Sequence, residues 1–185
     1  QQFALAGAET FNVLQINNQG DGASRVILSG GDISVDSSLV LSDGILDLGG
    51  NTTTLLQGNT DQGFTKADTA ESWVANGYVQ KGISPTEGKA AQRNYVRFPL
   101  GSADSTYYRP FDLFLTEDPI DSVDITVGHF TTSPKGTVFA TSASDAGVTK
   151  YPDFYWTVQS SQSLTSSYAY EASATAEGFT LNDND

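Results

Sequence analysis

The chain of 185 residues contains no cysteine, no methionine and one histidine, and it has 9 basic residues against 22 acidic ones. Without cysteine there are no disulfides, thiolate metal sites or thiol nucleophiles. A Ser-His-Asp triad or a catalytic zinc site would have to be built on His129 alone, and neither a Gly-x-Ser-x-Gly elbow nor a metal-spaced partner accompanies it. An ordinary structural role is therefore expected for His129. The formal charge of −13 argues against binding to nucleic acid or to anionic membranes, both of which need a basic surface. No apolar run approaches the length of a membrane span. The missing methionine gives the expectation that Gln1 is a processed start, left by removal of a signal peptide.

What the chain does have is a short repeat between Val26 and Leu56. The pairs Ile33/Val35, Leu39/Leu41, Leu46/Leu48 and Thr53/Leu55 are each spaced i, i+2, so both side chains leave one face of a strand. Successive pairs restart every six or seven residues, with Gly30-Gly31, Asp36-Ser37, Asp43-Gly44 and Gly49-Gly50-Asn51 between them as turn formers. Very short strands at near-constant spacing predict a parallel β-helix, about three strands to a coil, with each coil burying its interior against the next.

The composition then shifts. Aromatics are sparse early, where Phe3 and Phe11 stand almost alone, and Arg25 is the one basic residue before Lys66. Later segments are aromatic and alternate. The stretches 72–79, 94–98, 111–115, 123–127, 137–140, 154–158 and 168–170 read as strands, with Phe179 and Leu181 leading to the end. No segment has a convincing helical period. Phe111, Leu113, Leu115, Val123, Ile125, Val127, Trp156 and Val158 form the expected core of this half, with Trp156 bridging two sheets. The expected fold is all-β: a short N-terminal parallel β-helix over residues 1–65, followed by an antiparallel Ig-like or jelly-roll β-sandwich over 66–185.

Several stretches in order carry a resemblance. They are 10–18, 38–47 and 50–55, then Trp73-Val74-Ala75-Asn76-Gly77-Tyr78-Val79-Gln80-Lys81, Phe98-Pro99-Leu100-Gly101, Tyr108-Arg109-Pro110 and Tyr155-Trp156-Thr157-Val158. Together they resemble modules of large secreted surface proteins of Bacteroidetes and related phyla, associated with type IX secretion, with a β-helix followed by a β-sandwich. The resemblance implies an extracellular or cell-surface setting and a structural or adhesive role, and it brings no catalytic motif. The single-module length favours a subunit that assembles with copies of itself. Asp68-Thr69-Ala70, Asp104-Ser105-Thr106 and Asp121-Ser122-Val123 are similar to the short O-glycosylation signal of those bacteria, which makes Thr69, Ser105 and Ser122 candidate acceptors.

Other candidate chemistry is weighed residue by residue. Asp32, Asp36, Asp43 and Asp47 sit on or beside repeat turns, where aspartate ordinarily bonds nearby backbone. Paired carboxylates on a β-helix can cleave glycans, but a lyase would also want basic residues, and the repeat has only Arg25. No cofactor is expected. If a metal is held, calcium suits the hard oxygen donors, with Asp183 and Asp185 of the acidic terminus as weak candidates. Arg109 among Tyr107, Tyr108, Tyr151 and Tyr155, with Trp156 nearby, could form a glycan platform, although a stacked, paired structural arginine is the expected role and aromatics at strand spacing are more often core. Phe3, Leu5 and Phe11, close to the start, are the candidates for a contact between subunits.

The sequence thus points to a non-enzymatic extracellular structural protein, the subunit of a self-assembling surface filament or layer. The alternative is a glycan-binding adhesin module, and a glycan-cleaving enzyme is a distant third. The expected partners are copies of the same chain and possible extracellular glycans.

Overall fold

β-branched and leucine pairs separated by turn residues favour extended backbone, and the chain uses them to stack strands in parallel. The computed structural model describes residues 2–19, 24–56, 64–65, 72–83, 94–104, 106–115, 122–131, 153–162 and 170–178. Among the described residues all regular structure is β. The strands are β1 (Gln2–Ala6), β2 (Thr10–Asn17), β3 (Arg25–Ser29), β4 (Ile33–Asp47), β5 (Thr52–Leu55), β6 (Phe64–Thr65), β7 (Ser72–Ala75), β8 (Gly77–Ile83), β9 (Asn94–Phe98), β10 (Phe111–Leu115), β11 (Val123–Phe130), β12 (Tyr155–Ser160) and β13 (Tyr170–Ala174). Ten of them form a mixed sheet in the order β1-β3-β4-β5-β8-β11-β12, with β2, β6 and β7 also paired to β4. The other three form an antiparallel sheet in the order β13-β10-β9.

Every pairing among β1 to β8 is parallel. Residues far apart in sequence therefore line up in columns. Phe3 stands beside Val26, Val26 beside Leu46, and Leu46 beside Val74, which makes a further parallel bridge to Leu100. Ile33, Thr53 and Val79 form a second column, and Val35, Leu55 and Lys81 a third. Leu14 pairs with Leu39, and Ile16 with Leu41. The seven aliphatic residues expected to share one interior, Ile33, Val35, Leu39, Leu41, Leu46, Leu48 and Leu55, all lie in one core cluster. Burying each such side chain contributes about 1.5–3 kcal/mol.

The turn signals act differently from the expectation. Asp36-Ser37 and Asp43-Gly44 do not separate strands, because β4 runs unbroken for 15 residues. At Asp36 and Ser37 the β2–β4 register shifts, with Phe11 opposite Val35 and Val13 opposite Ser38, so one residue of β2 faces two of β4. Such a bulge bends a strand without ending it. Gly44 turns the chain toward β3 and β7. Its φ is +83°, and an added Cβ would stand 2.9 Å from the Ser24 carbonyl oxygen. β4 thus contributes to two faces of the stack. In contrast, the expected single strand over 72–79 is broken at Asn76, whose φ is +53°.

Parallel pairing continues beyond residue 66, since β7 pairs with β4 and β8 with β5. β8 then changes the mode, with β11 and β12 joining it antiparallel. The small sheet packs on the same interior, and Val96, Phe98, Phe111 and Leu113 join Val123, Ile125 and Val127 in the core cluster. Two expected core residues are corrected. Val158 is 47% exposed, because β12 is the edge of the large sheet and nothing described covers that position. Trp156 is half-buried against the core rather than at its centre. The side chains of Leu115 and Phe3, the expected strand at 137–140, and Phe179 and Leu181 lie outside the described residues.

Candidate functional site

The segment between β9 and β10 gathers most of the polar and aromatic groups singled out in the sequence. It is laid across the stack by backbone bonds. Val74 N–H donates to the Pro99 carbonyl (2.8 Å), Gly101 N–H to Val74 (3.1 Å), and Ser102 N–H to Tyr107 (2.9 Å). Its own side chains then close it. Ser102 Oγ donates to Asp104 Oδ1 (2.5 Å) and accepts from the Tyr107 amide (2.9 Å). The bond from Ser102 holds the Asp104 carboxyl below its ordinary pKa. Trp73, on β7, donates its indole N–H to the Ser102 carbonyl (2.9 Å), and its ring packs near Tyr108 with centroids 6.0 Å apart.

Arg109 ends this segment and is 4% exposed. Its guanidinium carbon lies 3.5 Å from the Phe154 ring centroid and 4.6 Å from that of Tyr107. Nε donates to the Glu177 carbonyl (2.8 Å), and the Arg109 carbonyl accepts from Trp156 Nε1 (3.1 Å). Burial pushes the guanidinium pKa down, while Asp153 and Asp104 pull the other way. A buried cation held between two rings and a carbonyl is a structural clamp, satisfied on every side that these contacts reach.

His129 stands behind it on β11, 1% exposed. Its ring lies 5.7 Å from Phe154 and 5.5 Å from Trp156. Nδ1 is 3.1 Å from the Gly101 carbonyl, a geometry that places the proton on Nδ1 and leaves Nε2 buried without a partner among the described residues. Burial, with the charge of Arg109 second, lowers its pKa to about 4, so the ring is neutral at pH 7.

Of the sequence candidates, Tyr107, Tyr108 and Arg109 are brought together. Tyr155 is not. It leaves the face of β12 opposite to Trp156 and stacks on Phe130 with centroids 5.5 Å apart, and Phe130 in turn meets Tyr78 at 5.3 Å. Tyr151, Thr69, Ser105, Asp183 and Asp185 lie outside the described residues. Ser122 is exposed, and its carbonyl accepts from Gln162 Nε2 (3.1 Å). Leu5 and Phe11 are partly buried against the core. No group of three or more His, Asp or Glu among the described residues is placed to hold a metal ion.

The repeat aspartates work between strands as well as within turns. Asp32 Oδ1 accepts from the Thr52 amide (2.7 Å), and Asp47 Oδ1 from that of Gly49 (3.1 Å). Asp47 also pairs with Arg25 (3.3 Å) and accepts from Asn76 (3.3 Å), which ties β3 and β4 to the corner between β7 and β8. The sequence reading did not single out Phe154, Glu177, Tyr78 or Phe130. It also missed Lys81, which is fully buried in register between Leu55 and Ile125. A lysine at an inward position of the alternating run 77–83 was a signal available in the sequence. No family model, curated protein or solved structure matches this chain.

Proposed function

We propose that the protein is an extracellular structural subunit that assembles with copies of itself through β-strand contacts. In this reading the parallel strands up to Ile83 are a short β-helix, and the antiparallel strands beyond it make a β-sandwich with the last of its turns. One observation supports assembly above the rest. β1 and β2, the first strands of the stack, each pair with a single strand among the described residues, β3 and β4 respectively. Their outer edges offer backbone N–H and C=O groups to a new strand. Beside those edges Leu5, Phe11 and Leu14 are only partly buried, and Val13 is 50% exposed.

A second copy adding to this end would satisfy the edge and cover those side chains. Such a contact joins unlike surfaces, so it propagates as a filament unless its rotation closes a ring. The charge of −13 per subunit opposes close approach, and salt screens that repulsion. The cell-surface setting rests on the resemblance to secreted surface modules. Deleting residues 1–8 removes β1 and should abolish assembly while the remaining chain stays folded, as read by light scattering and circular dichroism. Unchanged assembly of the deletion would refute this interface.

A second reading, a glycan-binding module, draws on the strip formed by the partly buried Tyr78, Phe130 and Tyr155, since aromatic faces suit sugar rings. Retardation of the protein in gels that contain soluble polysaccharide, lost on Tyr155→Ala, would favour it.

A further inference from the structure

β13 is held in an unusual way. It is the outer strand of the small sheet and pairs with β10 from Phe111↔Ala174 to Leu115↔Tyr170. All five of its side chains are exposed, on both faces. Ala172 and Ala174 stand opposite Leu113 and Phe111, which are buried. The strand therefore satisfies the β10 edge while burying almost no side chain of its own. Among the described residues its remaining attachment is the turn that follows. Thr175 N–H donates to the Pro110 carbonyl (3.1 Å), Glu177 Oε2 accepts from the Tyr108 amide (3.0 Å), and the Glu177 carbonyl accepts from Arg109 Nε (2.8 Å). Gly178, at φ +81°, lies so near the Tyr107 ring that an added Cβ would stand 2.6 Å from it. β10 needs a strand at this edge, but no side chain of β13 itself is buried to hold it there.

We propose that β13 is an exchangeable strand, and that its seat on β10 takes β13 of a second copy in the same register. The inference rests on the assembly reading above and gives it a second contact. The occupant follows from the seat. The ladder on β10 and the Arg109–Tyr108 clamp are already built for this sequence, and an identical strand restores every one of their hydrogen bonds. Exchange of identical elements costs no native pairing. A strand without buried side chains also lies at the low end of local opening free energies.

The native chain has no cysteine, so introduced thiols report alone. Phe114 stands opposite Glu171. Directly opposed strand residues lie about 4.5–5.5 Å apart, within disulfide range. Full-length Phe114→Cys protein is mixed with full-length Glu171→Cys protein under mild oxidation, and the disulfides are assigned by peptide mass. Exchange predicts that position 114 of one copy links to position 171 of the other several-fold more often than like positions link. Adding Glu177→Ala, which removes the acceptor of the Tyr108 amide, should raise the rate of that link several-fold. The same mixing at Asp112 and Ser173, another opposed pair, guards against a variant that misfolds. Unlike links no more frequent than like ones at both pairs would overturn the proposal. If light scattering on the same samples shows large assemblies without unlike links, exchange fails and the assembly reading stands. If the samples remain monomeric, both fail.

Discussion

The parallel stack and the antiparallel strands beyond it share one core, yet they fill it with different side chains. In the stack the interior is Ile33, Val35, Leu39, Leu41, Leu46, Leu48 and Leu55, each between 0 and 2% exposed. In the second region the rings Phe98, Phe111 and Phe154 are buried beside the aliphatic Val96, Leu100, Leu113, Val123, Ile125 and Val127, Trp156 is half-buried, and Arg109 and His129 are enclosed near Phe154. Geometry accounts for the difference. Neighbouring strands within a sheet lie about 4.7–4.9 Å apart, so a column of aligned side chains packs aliphatic groups rung on rung. Facing sheets lie about 10 Å apart and leave room for large rings. Polar groups that enter such a space must be satisfied there. The stack is specified by repetition, whereas the second region depends on a single node of unlike groups.

The sharpest way to break this contrast is a charge in the stack. Leu41→Asp buries a carboxylate at a position that is 0% exposed, and it should cost more than about 4 kcal/mol in denaturant unfolding. A loss under 1 kcal/mol would mean that the rungs do not depend on one another.

Acid should act next, and on the second region. His129 has its pKa lowered from 6.5 to about 4, so the unfolded chain takes up this proton first as the pH falls. Stability from this residue is fully present above about pH 6.5, is lost between about 6.5 and 4, and levels off below that. At 1.36 kcal/mol per pH unit the loss amounts to about 3 kcal/mol. Asp104, whose pKa is lowered, adds its own loss only as the pH falls through the carboxylate range below 3.8. Urea unfolding from pH 7 to pH 4 measures the His129 share, and His129→Phe should flatten that slope. An unchanged slope would place the pH dependence elsewhere.

Smaller effects sharpen the comparison. Trp156→Ala should cost about 2 kcal/mol, under the 3–5 kcal/mol of a fully buried aromatic, because the ring is half-exposed, although the Arg109 carbonyl loses its donor. Val158→Thr, at an exposed edge position, should stay within about 0.5 kcal/mol in the same unfolding assay.

The stack was the more legible region. The i, i+2 pairs identified its inward residues, because side-chain alternation along a strand is a local property that sequence displays directly. Strand boundaries were less legible. Asp36-Ser37 and Asp43-Gly44 carry turn chemistry, but neighbouring strands on both sides of β4 hold it extended, so the same residues make a bulge and a corner. The clamp was legible only in part: Arg109, Tyr107 and Trp156 are grouped in the sequence reading, whereas Phe154 and Glu177 carry no such signal. Arg109, Phe154 and Glu177 are distant in sequence and meet only when β13 has paired with β10 and β12 with β11, and no local pattern encodes that meeting. Trp156 and Val158 were misplaced for a related reason. Alternation gives the face of a strand, but not whether that strand lies at a sheet edge.

The most direct test is sedimentation of the intact protein across a range of concentration, at low and at high salt. The outer edges of β1 and β2, unpaired among the described residues, lead the proposed assembly to predict a mass that grows with concentration and grows further when salt screens the charge of −13. A single monomeric species throughout would contradict the account.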